Sequence, residues 1–186
     1  MLIGKNITIG ITACTPVDQI PGLIRMLRNE KAEVKVILTP NARDRRRSPM
    51  SAAFPPLPLR RASGNPVEID QFEEPKVWDP DHKTSDQSDL LLIAPASANT
   101  IGKAANGIAD NLLTTTILST TAPIVFANNI NPMMYGKPSV QRNIRTLKED
   151  GCIFVESEGD RAPNRMPSND QIFKTIIKAL EKMTEV

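Results

Sequence analysis

Four short polar segments follow apolar runs of the chain, and all four carry hydroxyl or amide side chains but no acid. Hydroxyl groups and the free N–H groups of a helix N-terminus bind phosphate, and small residues let a flat ring lie against backbone. The segments therefore suit an anionic, hydrogen-bonding cofactor such as a flavin nucleotide. Helix capping by Ser97 or Asn99 is the alternative interpretation. The four segments are residues 12–15 (TACT), 39–42 (TPNA), 95–100 (PASANT) and 128–134 (NNINPMM).

The apolar runs before these segments have the length and composition of buried strands. A strand, a helix and a second strand within about 35 residues form a βαβ unit, whose usual outcome is a parallel sheet. Ligands of such sheets bind at the carboxyl ends of the strands. We therefore predict an α/β fold: one domain over residues 1–186, with a Rossmann-like (flavodoxin-like) parallel sheet and helices on both faces. The predicted strands are residues 6–13, 33–38, 89–94, 123–127 and 152–155.

Apolar spacing predicts the helices between these strands. In the first helix Asp18 is a candidate cap, Pro21 sits in the first turn, and one stripe is apolar. A helix from about 101 to 119 is expected to break at Gly107, another covers 139–150 and ends at Gly151, and the last is amphipathic. The two stripes are Ile20, Leu23, Ile24 and Leu27, and Ile172, Phe173, Ile176, Ile177, Leu180 and Met183.

Residues 40–80 are predicted to form an irregular connection rich in arginine and proline. The part from 40 to 66 holds six arginines and six prolines, so we expect no strand there and a helix only in its first half. The arginines between 43 and 61 have two interpretations. Either they are solvent-exposed side chains of a surface loop, or they form a docking patch for an acidic peptide or a phosphate.

Composition limits the classes of partner. The formal net charge is +2 and 4% of residues are aromatic, which gives no support to a nucleic-acid surface. The sequence predicts no signal peptide and no membrane span. Two cysteines and one histidine do not suggest a disulfide framework or a metal site. A reduced, cytoplasmic protein is expected.

The stretch PASANTIGKAANGIADNLLTT (95–115) closely resembles the signature of the flavin-containing cysteine decarboxylases. That family includes phosphopantothenoylcysteine decarboxylase and the lantibiotic enzymes that decarboxylate a peptide's C-terminal cysteine. SGNPVEIDQF and WDPDH occupy the place of the family's histidine, and NNINPMMYGKPSVQRNIRTLKEDGCIFV resembles the stretch with its P-x-M-N-x-x-M motif. The resemblance implies FMN, with FAD as the alternative, and a homo-oligomer built from trimers.

The resemblance also implies roles for individual residues. His82 matches the catalytic histidine, although a lone histidine is more often a surface residue. Asn131 matches the asparagine that binds the substrate carboxylate, and Met134 the second methionine of that motif; a turn asparagine before Pro132 is the alternative. The implied cofactor contacts are Ser97, Asn99 and Thr100 in PASANT, and, more loosely, Thr12 and Thr39.

The implied reaction oxidises the cysteine side chain to a thioaldehyde, which is the electron sink for loss of carbon dioxide and leaves an enethiolate. In the pantothenate branch a cysteine of the substrate flap then helps to form a saturated thiol. The corresponding residues here, 156–170, contain no cysteine, which favours the peptide branch and an enethiol product. Arg161 and Arg165 are candidates to grip a carboxylate or peptide backbone, or are plain surface arginines. The alternatives are phosphopantothenoylcysteine decarboxylase and a non-decarboxylating flavin reductase or carrier.

Overall fold

The computed structural model describes residues 2–43, 56–69, 88–156 and 164–184. In these residues six strands form one sheet: β1 (Asn6–Ile11), β2 (Glu33–Leu38), β3 (Val67–Glu68), β4 (Leu90–Ala96), β5 (Ile124–Asn128) and β6 (Ile153–Phe154). Every neighbouring pair is parallel, and the order is β3-β2-β1-β4-β5-β6. The strand order reverses between β1 and β4, so the crevice for a ligand is expected at their carboxyl ends.

Helices cover both faces of the sheet. One core lies under the helices that begin at Ile20, Pro56 and Asn169, and the other under the helices that begin at Ala98, Leu112 and Pro138. Strand β4 contributes to both cores, because its successive side chains point to opposite faces. This arrangement confirms the predicted fold class. The helices are α1 (Ile20–Asn29), α2 (Pro40–Arg43), α3 (Pro56–Ser63), α4 (Ala98–Ala105), α5 (Leu112–Ser119), α6 (Pro132–Tyr135), α7 (Pro138–Glu149) and α8 (Asn169–Thr184).

The first helix begins differently from the prediction. A 3₁₀ helix, Thr15–Gln19, precedes α1, and Asp18 lies inside it. Gln19 is the N-cap of α1 and makes no side-chain capping hydrogen bond, so the expectation that Asp18 caps this helix is wrong. The predicted apolar stripe is confirmed, because its four side chains are fully buried.

Helix α3 corrects the prediction for residues 40–66, since it lies in the second half of that segment and β3 follows it. Pro56 and Pro58 do not prevent it, because both fall in the first turn, where a missing N–H breaks no helical hydrogen bond. The predicted break in the helix after β4 is confirmed. Helix α4 ends at Ala105, and Gly107 follows with φ of 64°, a conformation that suits glycine.

At the C-terminus, Ser168 and Gln171 start α8 by exchanging hydrogen bonds. The Ser168 hydroxyl accepts from the Gln171 N–H at 3.3 Å, and the Gln171 Oε1 accepts from the Ser168 N–H at 2.9 Å. The last buried side chains of α8 are Ala179 and Leu180. Met183 is 55% exposed, so its expected place on the packed face is wrong: the helix continues past the core.

Strand β1 passes very close to α5 at Gly10. A Cβ at this position would overlap Leu113 Cδ1 and lie 3.1 Å from Ile93 Cδ1. Glycine therefore suits the packing here, since a side chain at this position would force Leu113 to shift. The described helices include none that is both long and apolar enough to cross a membrane.

Candidate functional site

The loops after β1 and β4 are joined by the side chain of Thr12. Its hydroxyl donates to the Pro95 carbonyl at 2.7 Å and accepts from the Ser97 N–H at 3.0 Å. Thr12 is 1% exposed, and the peptide bond before Pro95 is cis. Because its one hydroxyl proton is used by Pro95, Thr12 does not offer the direct phosphate donation expected from the sequence.

Ser97 is the N-cap of α4. Its hydroxyl accepts from the Thr100 N–H at 3.3 Å and lies 3.2 Å from the Thr100 hydroxyl. Thr100 is buried, Ser97 is half-buried and Asn99 is exposed. Helix capping, the alternative interpretation, is thus what Ser97 does here. If Thr100 donates between the two hydroxyls, Ser97 keeps its own proton for an acceptor in the crevice.

Asn129, directly after β5, connects three parts of the crevice. Its Oδ1 accepts from the Met166 N–H at 3.2 Å, and its Nδ2 donates to the Thr15 hydroxyl at 3.4 Å. Its own N–H donates to the Ala96 carbonyl at 2.9 Å. The sequence interpretation named the NNIN segment but missed this residue. Its place at the end of a buried strand was the available indication.

Asn131 caps the short helix α6. Its Oδ1 accepts from the Met133 N–H at 2.9 Å, so the turn role named as the alternative is present. The side chain is nevertheless exposed, and its Nδ2 has no hydrogen-bond acceptor within the described residues. Met134, the other residue taken from this motif, is 52% exposed.

The segment 164–166 holds this loop from the other side. Asn164 is 4% exposed. Its side-chain Nδ2 donates to the Ile130 carbonyl at 2.7 Å, and its backbone carbonyl accepts from the Ile130 N–H at 2.8 Å. Arg165 follows directly. This double contact fixes Arg165 beside the loop that carries Asn129 and Asn131.

A cavity of about 420 Å³ lies between the loop after β1, the loop after β5 and segment 164–166. Its size is within the roughly 300–1,000 Å³ of small-molecule sites. Its described lining residues offer hydroxyl and amide groups and one guanidinium and include no carboxylate, which is a donor set for an anionic ligand. An anionic flavin nucleotide fits this chemistry. The lining residues are Thr15, Pro16, Gln19, Asn129, Arg165 and Met166.

Cys14 lies beside this cavity and is 8% exposed. Burial raises the pKa of its thiol, and the hydrogen bond with Thr12 lowers it less, so the net shift is upward. The thiol is 3.5 Å from the Asn129 carbonyl, to which it donates. A protonated, buried thiol is a poor nucleophile, so Cys14 is suited to a structural role.

Among the residues predicted for the site, Arg165 lines the cavity, and Thr12, Ser97 and Thr100 form the loop contacts at the strand ends. Thr39 is 8% exposed and precedes α2; its N–H donates to the Ile11 carbonyl at 3.0 Å. Asn99 and Met134 are exposed and are not among the cavity's lining residues. His82 and Arg161 lie outside the described residues.

Known proteins resemble this chain over most of its length. It is 39% identical over 161 residues to the Coenzyme A biosynthesis bifunctional protein CoaBC of Bacillus subtilis (strain 168), covering 86% of this chain and 38% of that protein. It is 39% identical over 134 residues to a cysteine/cysteine sulfinic acid decarboxylase from an unknown prokaryotic organism, covering 68% and 37%. The chain therefore spans about two fifths of the length of the curated relatives it matches.

Two solved structures have the same fold. The FMN-dependent cysteine decarboxylase SpaF aligns with a TM-score of 0.79 at 30% identity, covering 96% of this chain and 99% of that one. The peptidyl-cysteine decarboxylase EpiD aligns with a TM-score of 0.74 at 27% identity, covering 93% and 98%. A family model described as Flavoprotein matches residues 1–181, which confirms the resemblance carried by PASANT: the chain belongs to the Flavoprotein family.

Proposed function

We propose that the chain is an FMN-dependent enzyme that oxidatively decarboxylates the C-terminal cysteine of a ribosomally made precursor peptide and releases an enethiol. The observation that carries this proposal is the cavity beside the carboxyl ends of β1 and β5, whose described lining residues offer hydroxyl, amide and guanidinium groups and include no acid. A C-terminal carboxylate and a nucleotide phosphate are both anions that such groups bind. The likeness to SpaF and EpiD supports the choice of cofactor and substrate.

In this proposal the PASANT loop holds the cofactor. With Thr100 as the donor between the two hydroxyls, Ser97 would donate its own proton to the cofactor, Asn99 adds an exposed amide, and Thr100 orients Ser97 from a buried position. Thr12 supports the loop from behind through the Pro95 and Ser97 contacts. When bound, FMN would supply the two-electron acceptor that oxidation of the cysteine side chain requires.

The substrate carboxylate is assigned to the side of the cavity formed by segment 164–166 and the loop after β5. Arg165 lines the cavity and gives a planar fork of donors, and Asn131 presents an exposed amide on the adjoining loop. A carboxylate held there would orient the substrate's cysteine side chain toward the cofactor at the PASANT loop. His82 is assigned to the proton of the substrate thiol, as the resemblance implies. Met134 and Arg161 complete the proposed substrate contacts.

The test is mass spectrometry of peptides ending in cysteine after incubation with the FMN-loaded chain. We expect a loss of about 46 Da, the mass of carbon dioxide plus two hydrogens. His82→Asn should abolish the loss while FMN stays bound. Substitution of Arg142, an exposed arginine on α7, serves as the control and should change neither. Absence of the mass loss with every such peptide would refute the proposal.

A second candidate is phosphopantothenoylcysteine decarboxylase, because the chain is 39% identical over 161 residues to the Bacillus subtilis CoaBC protein. The absence of cysteine from residues 156–170 argues against a saturated product. Offering phosphopantothenoylcysteine separates the two: its conversion to a saturated thiol, without reaction of any peptide, would favour this candidate. Flavin reduction that does not depend on His82 would instead favour a non-decarboxylating reductase or carrier.

A further inference from the structure

A second cavity, of about 540 Å³, lies between α1 and α3, on the face of the sheet that also carries α8. We call it the arginine groove. Of the seven lining residues that lie in the described part of the chain, three are arginines and none is an acid. The lining residues are Pro21, Arg25, Arg28, Asn29, Pro58, Arg61 and Ala62.

Helix geometry directs the arginines into one groove. Pro21, Arg25 and Arg28 stand at i, i+4 and i+7, which places them on one face of α1. Arg28 donates from Nη1 to the Ala62 carbonyl at 3.1 Å, and a Cβ at Gly64 would lie only 3.0 Å from that nitrogen. The guanidinium of Arg28 is therefore held in place by α3 and the turn that follows it.

Among the described residues, no acid pairs with an arginine of the groove. The ion pairs of the described residues are Lys5–Asp89 and Lys103–Asp110, and neither includes a groove arginine. Helix dipoles favour cations in the last turn of a helix, which accounts for Arg28 and Arg61. Arg25 lies in the middle of α1, so the dipole does not account for it. Guanidinium groups in this number are complementary to carboxylates or phosphates.

The groove begins beside the functional cavity. Gln19 lines that cavity and Pro21 lines the groove, and two residues this close have Cα atoms at most about 7.6 Å apart. From Ile20 to Arg28 the helix rises about 12 Å. An extended peptide covers that distance in about four residues. A peptide whose C-terminus enters the cavity can thus pass along the groove.

We propose that the arginine groove binds acidic side chains of the peptide substrate, upstream of its C-terminal cysteine. The inference rests on the proposed function, which supplies the peptide. The described lining of this open groove has two prolines and no aromatic side chain, which suits an extended peptide better than a nucleotide base. Its length places the acidic residues about four to seven positions before the cysteine.

Two peptides of about ten residues ending in cysteine test the groove, one with glutamates at these positions and one with glutamines. Binding to the FMN-loaded chain is measured by fluorescence anisotropy, which needs no turnover. We expect the glutamate peptide to bind about tenfold more tightly, and 0.5 M salt to reduce that preference. The double variant Arg25→Gln/Arg61→Gln should remove the preference. The matched control, Arg142→Gln/Arg145→Gln, removes two exposed arginines of α7 and should keep it.

Equal binding of the two peptides would overturn the proposal, as would an equal loss in the groove and control variants. If inorganic phosphate competes at the groove but the glutamate peptide shows no preference there, the site is a phosphate site and the peptide proposal fails. Mass spectrometry of the same samples separates this outcome from the proposed function. Groove-dependent binding without the 46 Da loss refutes the proposed decarboxylation but supports peptide binding by the groove. The mass loss without a glutamate preference supports the decarboxylation but refutes peptide binding by the groove.

Discussion

Replacing Thr12 by valine tests whether the contact between the β1 and β4 loops supports cofactor binding. Valine has the shape of threonine but neither donates nor accepts a hydrogen bond. The substitution removes the bonds from Thr12 to the Pro95 carbonyl and from the Ser97 N–H to Thr12. The Pro95 carbonyl still accepts a hydrogen bond from the backbone N–H of residue 12, at 3.3 Å in the parent chain. The Ser97 N–H loses its acceptor. Ser97 is the residue proposed to face the cofactor phosphate.

The magnitude follows from these two bonds. Each contributes about 0.5–1.5 kcal/mol net, so the free energy of unfolding should fall by about 1–3 kcal/mol. For a chain of this length that corresponds to a Tm lower by about 2–4 °C for each kcal/mol. Because Ser97 is no longer held, we also expect FMN affinity to fall about tenfold, equivalent to about 1.4 kcal/mol.

The assay titrates FMN by the quenching of its fluorescence and measures thermal unfolding of the same variants. Thr12→Ser keeps the hydroxyl and should stay close to the parent chain in FMN affinity. Thr116→Val is the matched control, because Thr116 is also buried and its hydroxyl donates to the Leu112 carbonyl at 2.8 Å, inside α5. If Thr12→Val loses stability but binds FMN as Thr116→Val does, the loop contact does not support the cofactor site and the reasoning is refuted.

Three further predictions concern packing, the loop contact and pH. Gly10→Ala should destabilise the chain by about 1–3 kcal/mol in denaturant titration, and Leu113→Ala should partly rescue it; additive losses would contradict the overlap. Asn164→Ala leaves the Ile130 carbonyl without its side-chain donor, so we expect a loss of about 1–3 kcal/mol and a higher KM for the peptide, whereas an unchanged KM would confine its role to stability. Burial raises the pKa of Asp89, but hydrogen bonds from the backbone and Lys5 outweigh this and lower it below the ordinary 3.8. The ionised group therefore stabilises the fold above that value and this contribution is lost as pH falls through the lower folded pKa, so Asp89→Asn should flatten the acid limb of a Tm–pH curve.

Strands and helices with a strong apolar pattern were predictable because burial alone specifies them. The α1 stripe and the uninterrupted apolar run of β4 leave few alternatives to a helix under a parallel sheet. Right-handed crossovers then fix the face of the sheet on which each connecting helix lies, but not the order of the strands. Errors came at helix ends, where one local contact decides: Asp18 is taken into a 3₁₀ helix, and Met183 lies beyond the packed part of α8.

Helix α3 could not be predicted from propensity. Its two prolines counted against a helix, but they fall in its first turn, and Leu59 and Ala62 are buried against the same core as α1. Tertiary packing therefore outweighed the local preference. The arginine groove depends on this helix, since Arg61 and Pro58 belong to it. A sequence interpretation that leaves 40–66 as a loop cannot bring Arg61 beside Arg25.

The site was predictable in part, for a physical reason. Residues at strand ends must meet at one edge of a parallel sheet, so PASANT and NNIN could be placed together from sequence alone. The contacts of Asn129 with Met166 and of Ile130 with Asn164 join positions more than 30 residues apart, and no periodicity marks them. These contacts determine where Arg165 lies. The strand ends therefore form the crevice, but segment 164–166 supplies its positive charge through Arg165. Substitutions in that segment should weaken substrate binding more than they weaken FMN binding.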